Sequence, residues 1–194
     1  MSGAQRVVVL GVVLLIGIFG GGLVIYAFPT ASNQWYAPTQ PIPFSHRLHA
    51  GDKKIDCRYC HIGVGKSKHH TIPSLNTCMN CHKVVKPDSP HIQKLTEAYN
   101  SGKPIEWIRV HELPDFVVFN HRPHIDVGLE CATCHGDVKN MEKIHQEKPL
   151  TMGWCLECHR GVTTPPHISK KMHPGVEDPS GLPVAPIDCS TCHY

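Results

Sequence analysis

The chain has 194 residues, with 10 Cys, 16 His, 17 Pro and 16 Gly, and a formal net charge of +3. Only 18% of residues are charged, and no segment gathers Lys and Arg into the basic face that nucleic-acid binding needs. Residues 29–194 are too Pro-rich and too poor in aliphatic side chains to bury a large core unaided, which excludes a large enzyme built on a conventional interior.

Val7 to Phe28 carries no charged side chain. As a helix it spans about 33 Å, enough for the hydrocarbon core of a bilayer. A cleaved signal peptide has a shorter apolar region and an A-x-A-like site. Tyr26-Ala27-Phe28-Pro29 offers no such site. Residues 1–28 are therefore expected to form an uncleaved transmembrane signal-anchor. Arg6 precedes the run, so the positive-inside rule leaves everything after Pro29 outside the cytoplasm. Gly17 and Gly21, extended by Gly20 and Gly22, form a small-residue stripe suited to a partner helix, or simply a Gly-rich anchor facing lipid. Residues 29–43 read as an extended linker with interfacial aromatics Trp35 and Tyr36.

The domain expected over 44–194 contains all ten Cys, in five C-x-x-C pairs: Cys57/Cys60, Cys78/Cys81, Cys131/Cys134, Cys155/Cys158 and Cys189/Cys192. His61, His82, His135, His159 and His193 follow the pairs at once. C-x-x-C-H is the attachment signature of c-type haem, in which the thiols form thioethers and the adjacent His takes the iron. Zinc ribbons and disulfides also use paired Cys, but neither requires His at the next position. With 16 His in 194 residues, five hits in five have a chance on the order of 4 × 10⁻⁶. The cofactor expected is five haem c. In bacteria such haem is attached outside the inner (plasma) membrane, so the haem domain is expected on the periplasmic side of a single-pass anchor.

An internal repeat organises the motifs. Phe44-Ser-His-Arg-Leu-His49 is matched by Phe119-Asn-His-Arg-Pro-His124. Each precedes two haem motifs, giving repeat units at about 44–118 and 119–160 and a fifth-haem segment at 161–194. Between the units, Ser89-Pro90, the apolar positions Ile92, Leu95 and Tyr99, and Gly102 predict a helix over about 90–100. Ile105-Glu-Trp107 is expected as a short strand, and the Pro-rich stretch 163–188 as a long surface wrap. The fold class expected is a multihaem cytochrome c. It is loop-rich with short α-helices, little β and a haem-filled core, behind one N-terminal transmembrane helix.

Five distal ligands are needed. His46, His49, His121 and His124 are the leading candidates, because a three-residue spacing on one helical turn can serve two haems. For the fifth, His111, Met141 and His145 compete, with His69 or His70 behind them. Met is a legitimate ligand and raises the potential. Met79 and Met152 lie too near their own Cys and are expected to pack. Fully ligated iron has no open site for a small substrate, so no catalytic residue is expected and the chain reads as an electron wire. Ten propionates would turn the +3 into roughly −2 oxidised and −7 reduced. Arg47, Arg122 and Arg160 lie beside ligands as candidate propionate partners. The tandem repeat suggests entry and exit haems at opposite ends, with the anchor at the entry end.

The double F-x-H-x-x-H, Cys78-Met-Asn-Cys-His82, the run Arg109 to His121 and Met152-Gly-Trp-Cys-Leu-Glu-Cys-His159 resemble the pentahaem cytochrome subunit of alternative complex III. The resemblance runs from the anchor to the last motif, and 107–159 is its most specific part. It implies a quinol-oxidising respiratory complex. An iron–sulfur subunit beside integral-membrane quinol-site subunits would feed the haems. A monohaem cytochrome c or terminal oxidase would accept the electrons. It also implies that Met141 is a distal ligand, ahead of His145, and that His111 fits the pattern, which gives six candidates for five irons. A stand-alone membrane-anchored quinol dehydrogenase feeding periplasmic reductases is the alternative. A multihaem reductase would want a C-x-x-C-K motif or a missing distal ligand, and all five motifs end in His.

Overall fold

The structure is a computed structural model that describes residues 2–67 and 72–194, and of residues 29–31 the backbone alone. His69 and His70 lie outside the described residues. Helix α1 runs Gly3–Ala31. Ser2 caps it in a reciprocal box: its Oγ accepts from Gln5 N at 3.3 Å, and its own N donates to Gln5 Oε1 at 2.8 Å. Gly3–Phe28 is long and apolar enough to cross a membrane, and its side chains stand exposed along the whole length.

The stretch expected as an extended linker is helical through Ala31 and then docks. Asn33 and Trp35 take left-handed φ values of 53° and 69° and turn the chain back onto residues 146–148. Gln146 is fully buried there. Its Nε2 donates to the carbonyls of Ser32 (2.6 Å) and Lys148 (3.0 Å), and its Oε1 accepts from Glu112 N at 3.3 Å. Its backbone exchanges hydrogen bonds with Trp35 (2.7 Å) and Tyr36 (3.1 Å). One side chain thus ties the end of the apolar helix to two distant loops, and every polar atom of its amide is used.

Eight short α-helices follow among the described residues: α2 Cys57–Cys60, α3 Leu75–His82, α4 Pro90–Ser101, α5 His121–Asp126, α6 Cys131–His135, α7 Met152–His159, α8 Pro166–Met172 and α9 Cys189–Cys192. Helix α4 starts at the expected Ser89-Pro90 and ends at Gly102, whose φ of 69° lets Lys103 N reach the Ala98 carbonyl at 3.1 Å. Its Leu95 joins Ile42 and Met79 in a small core on which Leu75, Ile92, Tyr99, Ile105 and Trp107 pack. Met79 packs as expected. Met152 does not, being 60% exposed.

No strand occurs among the described residues. The strand expected at Ile105–Trp107 is absent because Trp107 N folds back to the Ile105 carbonyl at 3.0 Å, a tight turn that removes the extended geometry. One isolated antiparallel bridge joins Val117 to His193. The wrap at 163–188 contains α8, with Ile168 and Ser169 buried. It returns as a strap over the end of α7, where Val184 N bonds the His159 carbonyl at 2.8 Å. Buried aliphatic side chains outside the small core are few: Val110 and Ile168 complete the set among the described residues.

Candidate functional site

All five C-x-x-C-H motifs sit on short helices. Side-chain caps explain where two of these begin: Asp56 accepts from Arg58 N at 2.7 Å, and Thr151 Oγ1 accepts from Trp154 N at 3.4 Å. An i,i+3 spacing on a helix puts both thiols of a motif on one face, with the His one position on. The ten thiols are free of disulfides. Among the described residues no three His, Cys, Asp or Glu converge into a cage for a bare metal ion.

The repeat is geometric as well as sequential. Phe44 stacks on His49 (centroids 4.4 Å, 20°) and meets His46 edge-on (4.9 Å, 83°). Phe119 lies against His124 (4.7 Å, 36°) and meets His121 edge-on (4.7 Å, 83°). In both units the second His bonds back through Nδ1 to the carbonyl four residues earlier, His49 to Ser45 and His124 to Asn120, each at 2.8 Å. The first copy continues as the π-helical turn Arg47–Asp52, the second as α5.

Three imidazole pairs then face each other across the molecule. His49 and His82 have ring centroids 6.2 Å apart, His121 and His135 6.4 Å, and His124 and His159 6.1 Å. Two imidazoles on opposite faces of one metal, each with a metal–nitrogen bond of about 2.0–2.1 Å, have centroids about 6.3 Å apart. The observed spacings meet that value. Tautomers agree with it: His82 Nδ1 bonds the Val85 carbonyl at 3.0 Å and His159 Nδ1 the Pro186 carbonyl at 2.7 Å. A carbonyl only accepts, so His49, His82, His124 and His159 all protonate Nδ1 and leave Nε2 bare for a metal. The residues present therefore fit iron between paired histidines.

His46 is half-buried, and its buried Nδ1 has no hydrogen-bond partner. Burial first, then the neighbouring imidazoles of His61, His49 and His135, lower its pKa to about 4, so it stays neutral and able to ligate. Burial, with His159 alongside, also lowers His124, against the opposing bond to Asn120. Two of the remaining candidates are engaged elsewhere. His145 lies against Trp35 at 5.3 Å and donates from Nε2 to Glu147 at 3.0 Å, beside the Gln146 joint. His111 Nε2 lies 3.2 Å from His135 Nδ1. Met141 presents its carbonyl to Arg47 N at 3.0 Å. Arg47 and Arg122, expected beside propionates, make ion pairs with Glu142 and Asp126.

The thiols report which motifs adjoin. Burial, then Cys57 and Cys81, raises Cys60. Burial, then Cys60, raises Cys78. Burial, then Cys57, raises Cys131. Burial, then Cys158 and Cys155, pushes Cys134 up to about 11, and burial, then Cys192, raises Cys155. Neighbouring thiols thus link the motifs in the order 78/81, 57/60, 131/134, 155/158, 189/192. Backbone contacts agree. Val118 N bonds the Cys192 carbonyl at 2.8 Å, and the turn Arg47–Asp52 packs on the 3₁₀ turn Val138–Asn140 after the third motif. The anchor's exit, through Gln146 and Glu147, lies beside this third motif, midway in that order and not at an end. A Cβ on Gly136, next to His135, would strike the Glu147 side chain.

Residues 117–194 match the family described as cytochrome c7 and related cytochrome c. The chain is also 29% identical over 175 residues to the multihaem cytochrome c subunit of a menaquinone reductase from Nitratidesulfovibrio vulgaris, covering 79% of this chain and 76% of that one. The chain carries a multihaem cytochrome c domain with c-type haem, serves electron transport, and has one N-terminal apolar helix able to span a membrane.

Proposed function

We propose that this chain is the electron-transfer subunit of a quinone-coupled membrane oxidoreductase, with five covalent haems in one row. The three histidine pairs at 6.1–6.4 Å carry this reading, because low-spin iron held on both faces exchanges electrons with little rearrangement and offers no open position to a substrate. The ten Cys form the thioethers, and His61, His82, His135, His159 and His193 are proximal. His49, His121 and His124 are the distal ligands opposite His82, His135 and His159, and His46 serves the haem of His61. Met141, which the resemblance implies as a ligand, is proposed as the remaining distal donor, since His145 is held by Glu147 and His111 by His135.

The haem domain faces the periplasm, and the partners are an iron–sulfur subunit, quinol-site membrane subunits, and a monohaem cytochrome c or terminal oxidase. The relative's name speaks of menaquinone reduction, and the resemblance to alternative complex III of quinol oxidation. A row of such haems conducts either way, so the partners' potentials set the direction. Intact mass of the membrane-purified chain tests the cofactor: it should exceed the polypeptide mass by five haems, and a shortfall of one in natively matured protein overturns the five-haem reading.

A further inference from the structure

Four of the paired imidazoles have their Nδ1 proton held by a backbone carbonyl: Ser45 for His49, Val85 for His82, Asn120 for His124 and Pro186 for His159. At His135 the partner is a side chain, the Nε2 of His111 at 3.2 Å, with the rings edge to face at 4.5 Å and 77°. On the far side, His135 lies parallel to His121 within 5°. If the Nε2 of His135 faces iron, as that pairing requires, its proton sits on Nδ1. His135 then donates and His111 accepts.

We propose that His111 is a positioning residue for the third haem, not an axial ligand. Its Nε2 holds the Nδ1 proton of His135, fixes that ring against rotation and makes it a stronger electron donor to its iron, favouring the oxidised state of that one haem. The proposal rests on the haem reading above. Its logic is that of an outer partner to a metal-bound histidine, which sets the tautomer and raises ligand basicity. An imidazole nitrogen is a stronger base than a peptide carbonyl, so the third site departs from its neighbours in electronics while sharing their geometry. The site is also where the chain leaves the membrane: the Glu112 backbone N, one residue on from His111, bonds Gln146, and Glu147 packs on Gly136, next to His135.

The test compares His111→Leu, which has no acceptor, with His111→Gln, whose side-chain carbonyl restores one. Both are made in the full chain, matured with its haems and purified from membranes. Redox titration followed by absorbance and low-temperature spin-state spectra are read on each. His111→Leu should keep every haem low-spin and move one component to higher potential. The oxidised-to-reduced ratio of that component at fixed ambient potential should fall about ten-fold, or about 59 mV for a one-electron couple. His111→Gln should bring it most of the way back. A high-spin component in either variant would make His111 a ligand and overturn the proposal, and an unmoved titration would overturn it as well. Should His111→Leu fail to accumulate, His111→Gln decides alone: low-spin iron throughout supports the proposal, and high-spin iron refutes it. A wild-type chain without covalent haem would sink the underlying function instead, so the two failures are distinguishable.

Discussion

Phe44 and Phe119 each lie against two imidazoles, edge-on to the first and stacked (Phe44 on His49) or tilted (Phe119 on His124) against the second. The ring fills the space beside the two imidazoles, and the carbonyl bonds of His49 and His124 fix which nitrogen points outward. Removing His121 should therefore leave the ring of His135 without its parallel partner at 6.4 Å. His121→Ala is expected to convert one haem to high-spin, or to let a substitute ligand in, and to slow electron throughput about ten-fold or more. His173→Ala should change neither, because His173 donates to the Pro183 carbonyl in the strap. Spin-state spectra of the two variants make the comparison. Met141→Leu is the matching test for the fifth iron. A thioether ligand raises the potential relative to imidazole, so its loss should remove the highest-potential component from the redox titration.

At the scale of elements, the helices are set by their ends. Helix α7 closes at Arg160 and Gly161, and Gly161 holds a φ of 82° with the strap residue Leu182 lying directly over it. A side chain there would meet the Leu182 backbone carbonyl and would also sit in the left-handed region, at about 1–2 kcal/mol for the conformation alone. Gly161→Ala should lower the melting temperature and lift the strap. The bond from His159 Nδ1 to Pro186 would loosen, and thermal melts followed at haem absorbance would read the change. The sequence made some elements plain. The C-x-x-C-H helices, the two Phe-x-His-x-x-His turns and α4 follow from spacings within one or two helical turns, where i,i+3 geometry and caps leave little choice. What it concealed depends on residues far apart in the chain. Gln146 reaches Ser32 across 114 positions and His111 meets His135 across 24, and no local pattern marks either contact. Ile105 and Trp107 alternate like a strand but have no strand to pair with among the described residues, and they turn and pack on Leu95 and Met79.

Over the whole molecule neighbouring motifs link Cys78/Cys81 through the Cys131/Cys134 site to Cys189/Cys192, and the end of α1 is fastened beside the Cys131/Cys134 site. The fastening is rigid by construction, since Gln146 is fully buried and bonded on both sides of its amide. If α1 spans the membrane as proposed, the domain would be tethered through the Cys131/Cys134 region, and partners would be expected to dock away from that joint. On the proposed ligation, paired histidines would occupy both faces of the irons they hold, an arrangement expected to conduct without binding a small substrate. The holo surface should be acidic in spite of the basic polypeptide, so docking of a basic acceptor cytochrome should weaken as salt is raised. The chain purified alone in detergent and reduced chemically is expected to pass electrons rapidly to such an acceptor at low ionic strength. The same preparation given a quinol should show no turnover until the membrane partners are restored. Stopped-flow absorbance at the haem bands measures both reactions in one sample. Sustained quinol oxidation by the isolated chain would place the quinol site on this subunit and make it a stand-alone anchored dehydrogenase.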